Sequence, residues 1–289
     1  MEIDPMAMDN NKPTISGIMT VKNVLSLGYP YLEAIISALP IVDEFLISDG
    51  GSTDKTFYHI NKLKEKFPQI QIFETPVVAS PHWESFDEAL NFLIAKAKGE
   101  WLLEVQSDEF RHEKDIPQLI EIIKLADAEG YNSLRQPCIY YMWTKRDSYV
   151  YRNIRILRKI PKLISCWGGD DFQVGIEREP REGFTSHNVP PELDVDIEII
   201  HMSRAFPQNR VSQDESNVKN MGTEGKTRLE TYERTKQRDW SRILPPKKEE
   251  VLDCLPAIMK GLSQDLKYRV REELFDKEWL REVTGLNYE

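Results

Sequence analysis

From Ile15 to Val105, short apolar runs alternate with segments whose apolar residues recur at helical spacing. Ile15 to Thr20 reads as a strand ending at Val21-Lys22-Asn23, and Tyr31 to Leu39 reads as a helix closed by Pro40. The run Glu44-Phe45-Leu46-Ile47-Ser48-Asp49 predicts a second strand. The turn Gly50-Gly51-Ser52-Thr53 leads from it into a helix from Asp54 to Phe67, with Phe57, Ile60, Leu63 and Phe67 on one face. Ile70-Gln71-Ile72 alternates as a strand should. Phe86, Leu90, Leu93, Ile94 and Ala97 then form another helical face that stops at Gly99, before a strand from Trp101 to Val105. Successive β-α units leading to a further strand predict an α/β fold, with a mixed, mostly parallel, Rossmann-like sheet flanked by helices. Ligands of such sheets bind beyond the carboxyl ends of the strands, where Asp49 and Asp108 fall.

Beyond Asp108-Glu109 a helix is expected from Ile116 to Ala128, then a strand-like aromatic segment, Tyr140-Tyr141-Met142-Trp143. Arg152-Asn153-Ile154-Arg155-Ile156-Leu157-Arg158 alternates like a half-exposed strand, and Val195 to His201 is a second candidate. Arg152, Arg155 and Arg158 cannot all share one face, so one is free to meet a phosphate and the others are expected in solvent. Gly168-Gly169-Asp170-Asp171 is a polar turn. Phe206 to Lys248 is charged and poor in apolar residues, and helical periodicity returns from Glu249 to Val283 with Leu252, Leu255, Ile258 and Met259. The expected division is a disordered or cloning-derived tail over 1–12, one domain over 13–206, and a charged loop with a helical C-terminal extension over 207–289. That extension can cap the core or pair two copies of the chain as a homodimer.

Composition narrows the function. The 289 residues carry a formal charge of -10, which argues against a nucleic-acid partner, since phosphates call for a positive surface. Any phosphate is expected to be bound locally, with a metal. Cys138, Cys166 and Cys254 are widely spaced and contain no CxxC pair, so neither a zinc ribbon nor a disulfide framework is indicated and a reducing compartment fits. No apolar run is long enough to span a bilayer. A cytoplasmic protein is expected, with peripheral contact at the inner membrane surface if its acceptor is lipid-linked.

Ile47-Ser48-Asp49-Gly50-Gly51-Ser52-Thr53-Asp54-Lys55-Thr56, Ala89-Leu90-Asn91, Ala97-Lys98-Gly99-Glu100-Trp101 and Gln106-Ser107-Asp108-Glu109 follow one another in order. This combination resembles family 2 glycosyltransferases of the GT-A fold, over roughly the N-terminal third of the chain. The segment from Arg152 to His201 is more loosely similar to bacterial members that build lipopolysaccharide cores and other surface polysaccharides. The resemblance implies transfer of a sugar from a nucleoside-diphosphate donor, a UDP-sugar for preference, to a glycan or lipid-linked acceptor hydroxyl with inversion. It also implies a divalent cation, Mn²⁺ or Mg²⁺, that neutralises charge on the leaving diphosphate.

On this resemblance, Asp108, Glu109 and His201 are the metal ligands, and Thr20, Val21, Lys22, Asp49 and Ser107 hold the nucleotide. The family usually has an acidic residue where this chain has Gln106, so its acid-x-acid motif is half present. Inversion needs a general base facing the acceptor hydroxyl. Asp171 or Asp170 is the candidate, with Glu177 as second choice and Trp167 as a stacking surface for the sugar ring. A nucleotidyltransferase would carry a glycine-rich basic loop after the first strand, whereas Val21 to Tyr29 has a single glycine. The non-enzymatic alternative, a GT-A-like module that binds sugar or nucleotide or scaffolds a partner, is kept open by Gln106.

Overall fold

The computed structural model describes residues 12–25, 29–75, 84–142, 145–166, 171–174 and 189–201. Asp170, Glu177, Trp167 and the 207–289 extension lie outside the described residues, as do residues 1–11 of the expected tail. Strand β1 (Ile15–Val21) pairs in parallel with β2 (Glu44–Asp49) on one side and with β4 (Trp101–Glu104) on the other, and β3 (Ile70–Glu74) runs parallel beyond β2. Antiparallel strands extend the sheet past β4. There β7 (Lys145–Arg158) pairs with β4 and with β6 (Ser133–Met142). The last pair is β11 (Ile199–His201), parallel to β6, and β5 (Glu109–Phe110), antiparallel to β11. The short β10 (Glu192–Asp194) also pairs with β6, and β8 (Leu163–Cys166) with β9 (Asp171–Val174) makes a separate hairpin.

Both faces are covered, as the β-α pattern predicts. Met19, Phe45, Ile47, Trp101 and Leu103 point into a core shared with α1 (Tyr31–Ala38), α2 (Thr56–Lys66) and α4 (Ile116–Glu129). Ile18, Leu46 and Leu102 point the other way, against Leu90, Leu93 and Ile94 of α3 (Glu84–Lys96) and against Leu163 and Phe172 of the hairpin. Burial on two faces explains why β1, β2 and β4 read as continuous apolar runs. Each such side chain, fully buried, stabilises the fold by about 1.5–3 kcal/mol.

Three local expectations are corrected. Of the aromatic segment, Tyr140 to Met142 is only the end of β6 and Trp143 lies outside the described residues; the first half of β6 is hidden in the sequence by Pro137 and by the buried polar residues Ser133 and Gln136. In the segment from Val195, only Ile199–His201 is strand, paired in register with β6 and β5, while Val195 makes a single backbone bond to Arg135 of β6. Arg155 is not solvated but fully buried, while Arg152 bonds Asp194 and Asp196 at the surface. Arg158 stacks on Trp101, 5.2 Å from the ring centroid, and reaches Asp127 at 2.8 Å. The Arg152 pairs are exposed and contribute at most about 1 kcal/mol.

Gly99 stands where α3 returns to the sheet, its N–H donating to Ser16 Oγ at 2.7 Å. A Cβ there would lie 2.5 Å from the Ser16 nitrogen and 2.7 Å from its hydroxyl oxygen. Gly99→Ala should therefore cost about 1–3 kcal/mol through forced backbone movement. Urea unfolding checks this, and an unchanged midpoint would contradict the close approach.

Candidate active site

Because β1, β2 and β4 are parallel neighbours, the loops that follow them gather along one rim. Asn23 laces the first two loops together. Its backbone is left-handed at φ 51°, a conformation Asn tolerates. Its N–H donates to Ser52 Oγ at 2.9 Å, and its Oδ1 accepts from the Thr53 N–H at 2.7 Å and the Asp54 N–H at 3.3 Å. Gly51, at φ 79°, gives the second loop its turn. Asp49, the last residue of β2, accepts the Ser52 N–H at 2.7 Å through Oδ1. Its Oδ2 is buried with no hydrogen-bond partner among the described residues. A buried acceptor left unmade is costly, so this oxygen suits a donor brought by a ligand.

The other expected nucleotide-binding residues share this rim but differ in what they offer. Thr20 is half-buried and Lys22 is exposed. The Val21 side chain belongs to the core, and its carbonyl accepts the Gly50 N–H at 2.9 Å. Ser107 is half-buried in the loop after β4.

That loop is a tight turn in which the Glu109 N–H donates to the Gln106 carbonyl at 3.1 Å. It delivers Asp108 to His201, with Asp108 Oδ2 3.3 Å from His201 Nε2. His201, distant from Asp108 in sequence, arrives through the β5–β11 register, where it pairs with Glu109. Two donors this far apart can share one divalent cation, since ligand bonds of about 2.1 Å leave adjacent ligands about 3 Å apart. On its other side, His201 Nδ1 lies 3.7 Å from Cys138 Sγ and 3.9 Å from Glu109 Oε1.

Glu109 is differently engaged. Arg155 donates to both its oxygens, Nε to Oε2 and Nη2 to Oε1, each at 2.8 Å. Burial alone would raise the Glu109 pKa, but the charge and hydrogen bonds of Arg155 outweigh it and hold the carboxyl at about 2. The remaining arm of Arg155, Nη1, donates to Glu104 Oε2 at 2.9 Å. Glu109, Cys138 and His201 also offer ligand atoms within 4.8 Å of one another, although the Glu109 oxygens of that trio are occupied by Arg155. Close by, Arg111 is buried with Nε and Nη2 unpartnered among the described residues, and burial lowers its pKa to about 10.

Asp171 opens β9, the hairpin strand whose first residue pairs with Cys166. Asn91 fixes this hairpin to α3: its Oδ1 accepts the Ser165 N–H at 2.7 Å and its Nδ2 donates to the Ser165 carbonyl at 3.1 Å. The described residues thus bring Asp108 and His201 together and tie the Asp49 loop to the β1 end. Asn23 and Cys138 carry no pattern that singles them out in the sequence. Arg155 carried one signal, a charge set between Ile154 and Ile156 in an alternating strand.

Burial would lower the His201 pKa, but the Asp108 carboxylate, hydrogen bonds to Asp108 and Cys138, and Glu109 raise it well above 6.5. A raised folded-state pKa gives stability that is complete below the unfolded value of 6.5 and is lost as pH rises through the folded value. In EDTA, the urea midpoint should fall as pH rises above about 6.5 more steeply for the wild type than for His201→Gln. Parallel profiles would mean that the buried imidazole is neutral.

A model of glycosyl transferase family 2 matches residues 16–171, more than half of the chain. An uncharacterized glycosyltransferase of Haemophilus influenzae is 33% identical over 101 residues, covering 35% of this chain and 38% of that protein. The chain therefore spans well under half of that curated relative. Among solved structures, S. aureus TarS superposes with a TM-score of 0.42 at 13% identity, covering 95% of this chain and 54% of that one. The mannosyltransferase PcManGT from Pyrobaculum calidifontis, in complex with GDP-Man and Mn²⁺, gives 0.34 at 20% identity, covering 43% and 35%. The family match runs from β1 through the Asp108 loop to the start of β9, and the chain belongs to glycosyl transferase family 2.

Proposed function

We propose that this protein is an inverting glycosyltransferase that moves a sugar from a nucleoside-diphosphate donor, a UDP-sugar for preference, to a hydroxyl of a glycan or glycolipid. The observation that carries this reading is the meeting of Asp108 and His201 at the rim, 3.3 Å apart and both buried. A carboxylate with an imidazole suits Mn²⁺, and Mg²⁺ with more water; either would neutralise charge on the departing diphosphate. Asp108 and His201 would hold the ion. Glu109, committed to Arg155, would orient them from behind instead of ligating it.

The unpartnered Asp49 Oδ2 would accept a hydrogen bond from the base or ribose. Thr20, the Val21 backbone, Lys22 and Ser107 line the same rim and would complete the nucleotide site. Asp171, with Asp170 as its alternate, would act as general base. It would take the proton of the acceptor hydroxyl as that oxygen bonds the anomeric carbon and the carbon–oxygen bond to the diphosphate breaks on the opposite face. The 13–206 portion would form the catalytic domain, and the C-terminal portion would close over the acceptor or pair two copies. Among the described residues, no helix is long and apolar enough to cross a membrane. The proposed place of action is the cytoplasm, at the inner membrane surface where the acceptor is lipid-linked.

Gln106 favours one rival, a module that binds the nucleotide without turnover. Thermal shifts with UDP, GDP, dTDP and CMP, each with and without Mn²⁺, begin the test. One nucleoside diphosphate should stabilise the protein more with Mn²⁺, by about 2.7 kcal/mol at a hundredfold excess over Kd. Asp108→Asn should lose only the metal-linked part. Absence of any shift overturns the nucleotide reading, and nucleotide binding without sugar transfer or donor hydrolysis selects the rival. Asp171→Asn should keep donor binding while slowing transfer roughly 10²–10⁴-fold; lost binding would place this residue on the donor side.

A further inference from the structure

Arg155 owes its place to an irregularity in the sheet. Leu134 pairs with Ile156 and Arg135 with Ile154, so Arg155 is an extra residue on β7 with no counterpart on β6. The side-chain alternation breaks at the same point. Ile156 packs in the α1–α2–α4 core, whereas Ile154 and Leu157 both pack in the α3 core, although residues two apart on a regular strand share a face. Bulges of this kind re-aim a side chain, and here the guanidinium is turned to the two ends of one loop. Glu104 is the last residue of β4 and Glu109 the first of β5, and Arg155 bonds both, at 2.9 Å and twice at 2.8 Å.

We propose that Arg155 is the positioning residue of the metal site: it clamps the two feet of the loop that carries Asp108 and so sets Asp108 against His201. Glu109 is the element through which it acts. Glu109 is covalently next to Asp108 and is the cross-strand partner of His201, so fixing its carboxylate fixes both proposed ligands at once. Lysine cannot replace this residue, because one ammonium lacks the planar fork that meets two carboxylates in fixed directions. The inference rests on the proposed metal-dependent nucleotide site, yet Asp49 lies on β2, outside the clamp. Nucleotide binding without metal should therefore not depend on Arg155.

The test uses the full chain, with UDP as probe, or GDP where UDP gives no shift. The Mn²⁺ concentration that half-saturates nucleotide-linked stabilisation is measured for the wild type and for Arg155→Lys, beside the metal-free nucleotide shift. In Arg155→Lys the Mn²⁺ requirement should rise roughly tenfold or more, as for a lost outer partner of a metal ligand, while the metal-free shift stays at the wild-type value. An unchanged Mn²⁺ requirement overturns the clamp, as does an equal loss of the metal-free shift, which would make Arg155 a general support of the fold. If Arg155→Lys does not fold, the variant combining Arg155→Met, Glu104→Gln and Glu109→Gln removes the buried charges together. It should fold without Mn²⁺-linked stabilisation; wild-type linkage in it, or its failure to fold as well, overturns the proposal. A wild type with no Mn²⁺ response overturns the metal reading and the clamp with it, whereas a wild-type response kept by the variants overturns the clamp alone.

Discussion

A guanidinium buried between two carboxylates is the constraint on which the Asp108 end of the rim depends. Arg155, Glu104 and Glu109 are all shielded from water, so none of the three charges can be left unmatched. Removing one partner of such a group typically costs about 3–5 kcal/mol, because the charge left behind has lost its water as well as its partner. The group also stands at the seam of the sheet. β4 is the last parallel strand, β7 the first antiparallel one, and β5 lies at the far edge, so one side chain ties the two halves together. Its worth is therefore in fixing geometry more than in net stability, since apolar side chains could stabilise the same volume equally well.

The parallel half supplies the remaining order. β1 pairs on both sides, and its register sets Val21 level with Asp49 and Ile18 level with Glu104. The loops after β2 and β4 are thus held about two strand spacings apart, roughly 10 Å, with the end of β1 between them. Asn23 then converts adjacency into attachment by capping the backbone of the Thr53–Asp54 turn. Packing fixes the strands, and a few side-chain bonds to backbone fix the loops.

The parallel half was legible from the sequence because its physics is local. Strands buried on both faces are apolar throughout, and the helices between them show their core side at a period the chain itself displays. Asp49, the last residue of β2, and Asp108, in the loop after β4, were singled out by the same logic, as polar residues that follow apolar strands. The antiparallel half was less legible because its pairing is distant in sequence. His201 meets Asp108 across 92 intervening residues of sequence. Ile199–His201 are strand because β6 and β5 are on either side, not because three residues carry a pattern. Arg155 was misread for a related reason. An arginine between isoleucines looks like the wet face of a strand unless the bulge and its two carboxylates are known.

Gln106 fits the same charge balance. The loop region already holds Glu104, Asp108 and Glu109 as buried acids, opposed by the buried cations Arg111 and Arg155. With His201 charged, as its raised pKa implies, these groups balance. An acid at position 106 would add one more negative charge beside Asp108 and place the loop under repulsion in a medium that screens charge poorly. An amide keeps hydrogen-bonding capacity without that charge. A cation entering between Asp108 and His201 would displace the histidine proton and replace one positive charge by two. In this chain the half-present acidic motif and the buried arginine fit one electrostatic arrangement: the loop carries an amide near its tip and two carboxylates at its feet, both bonded by Arg155.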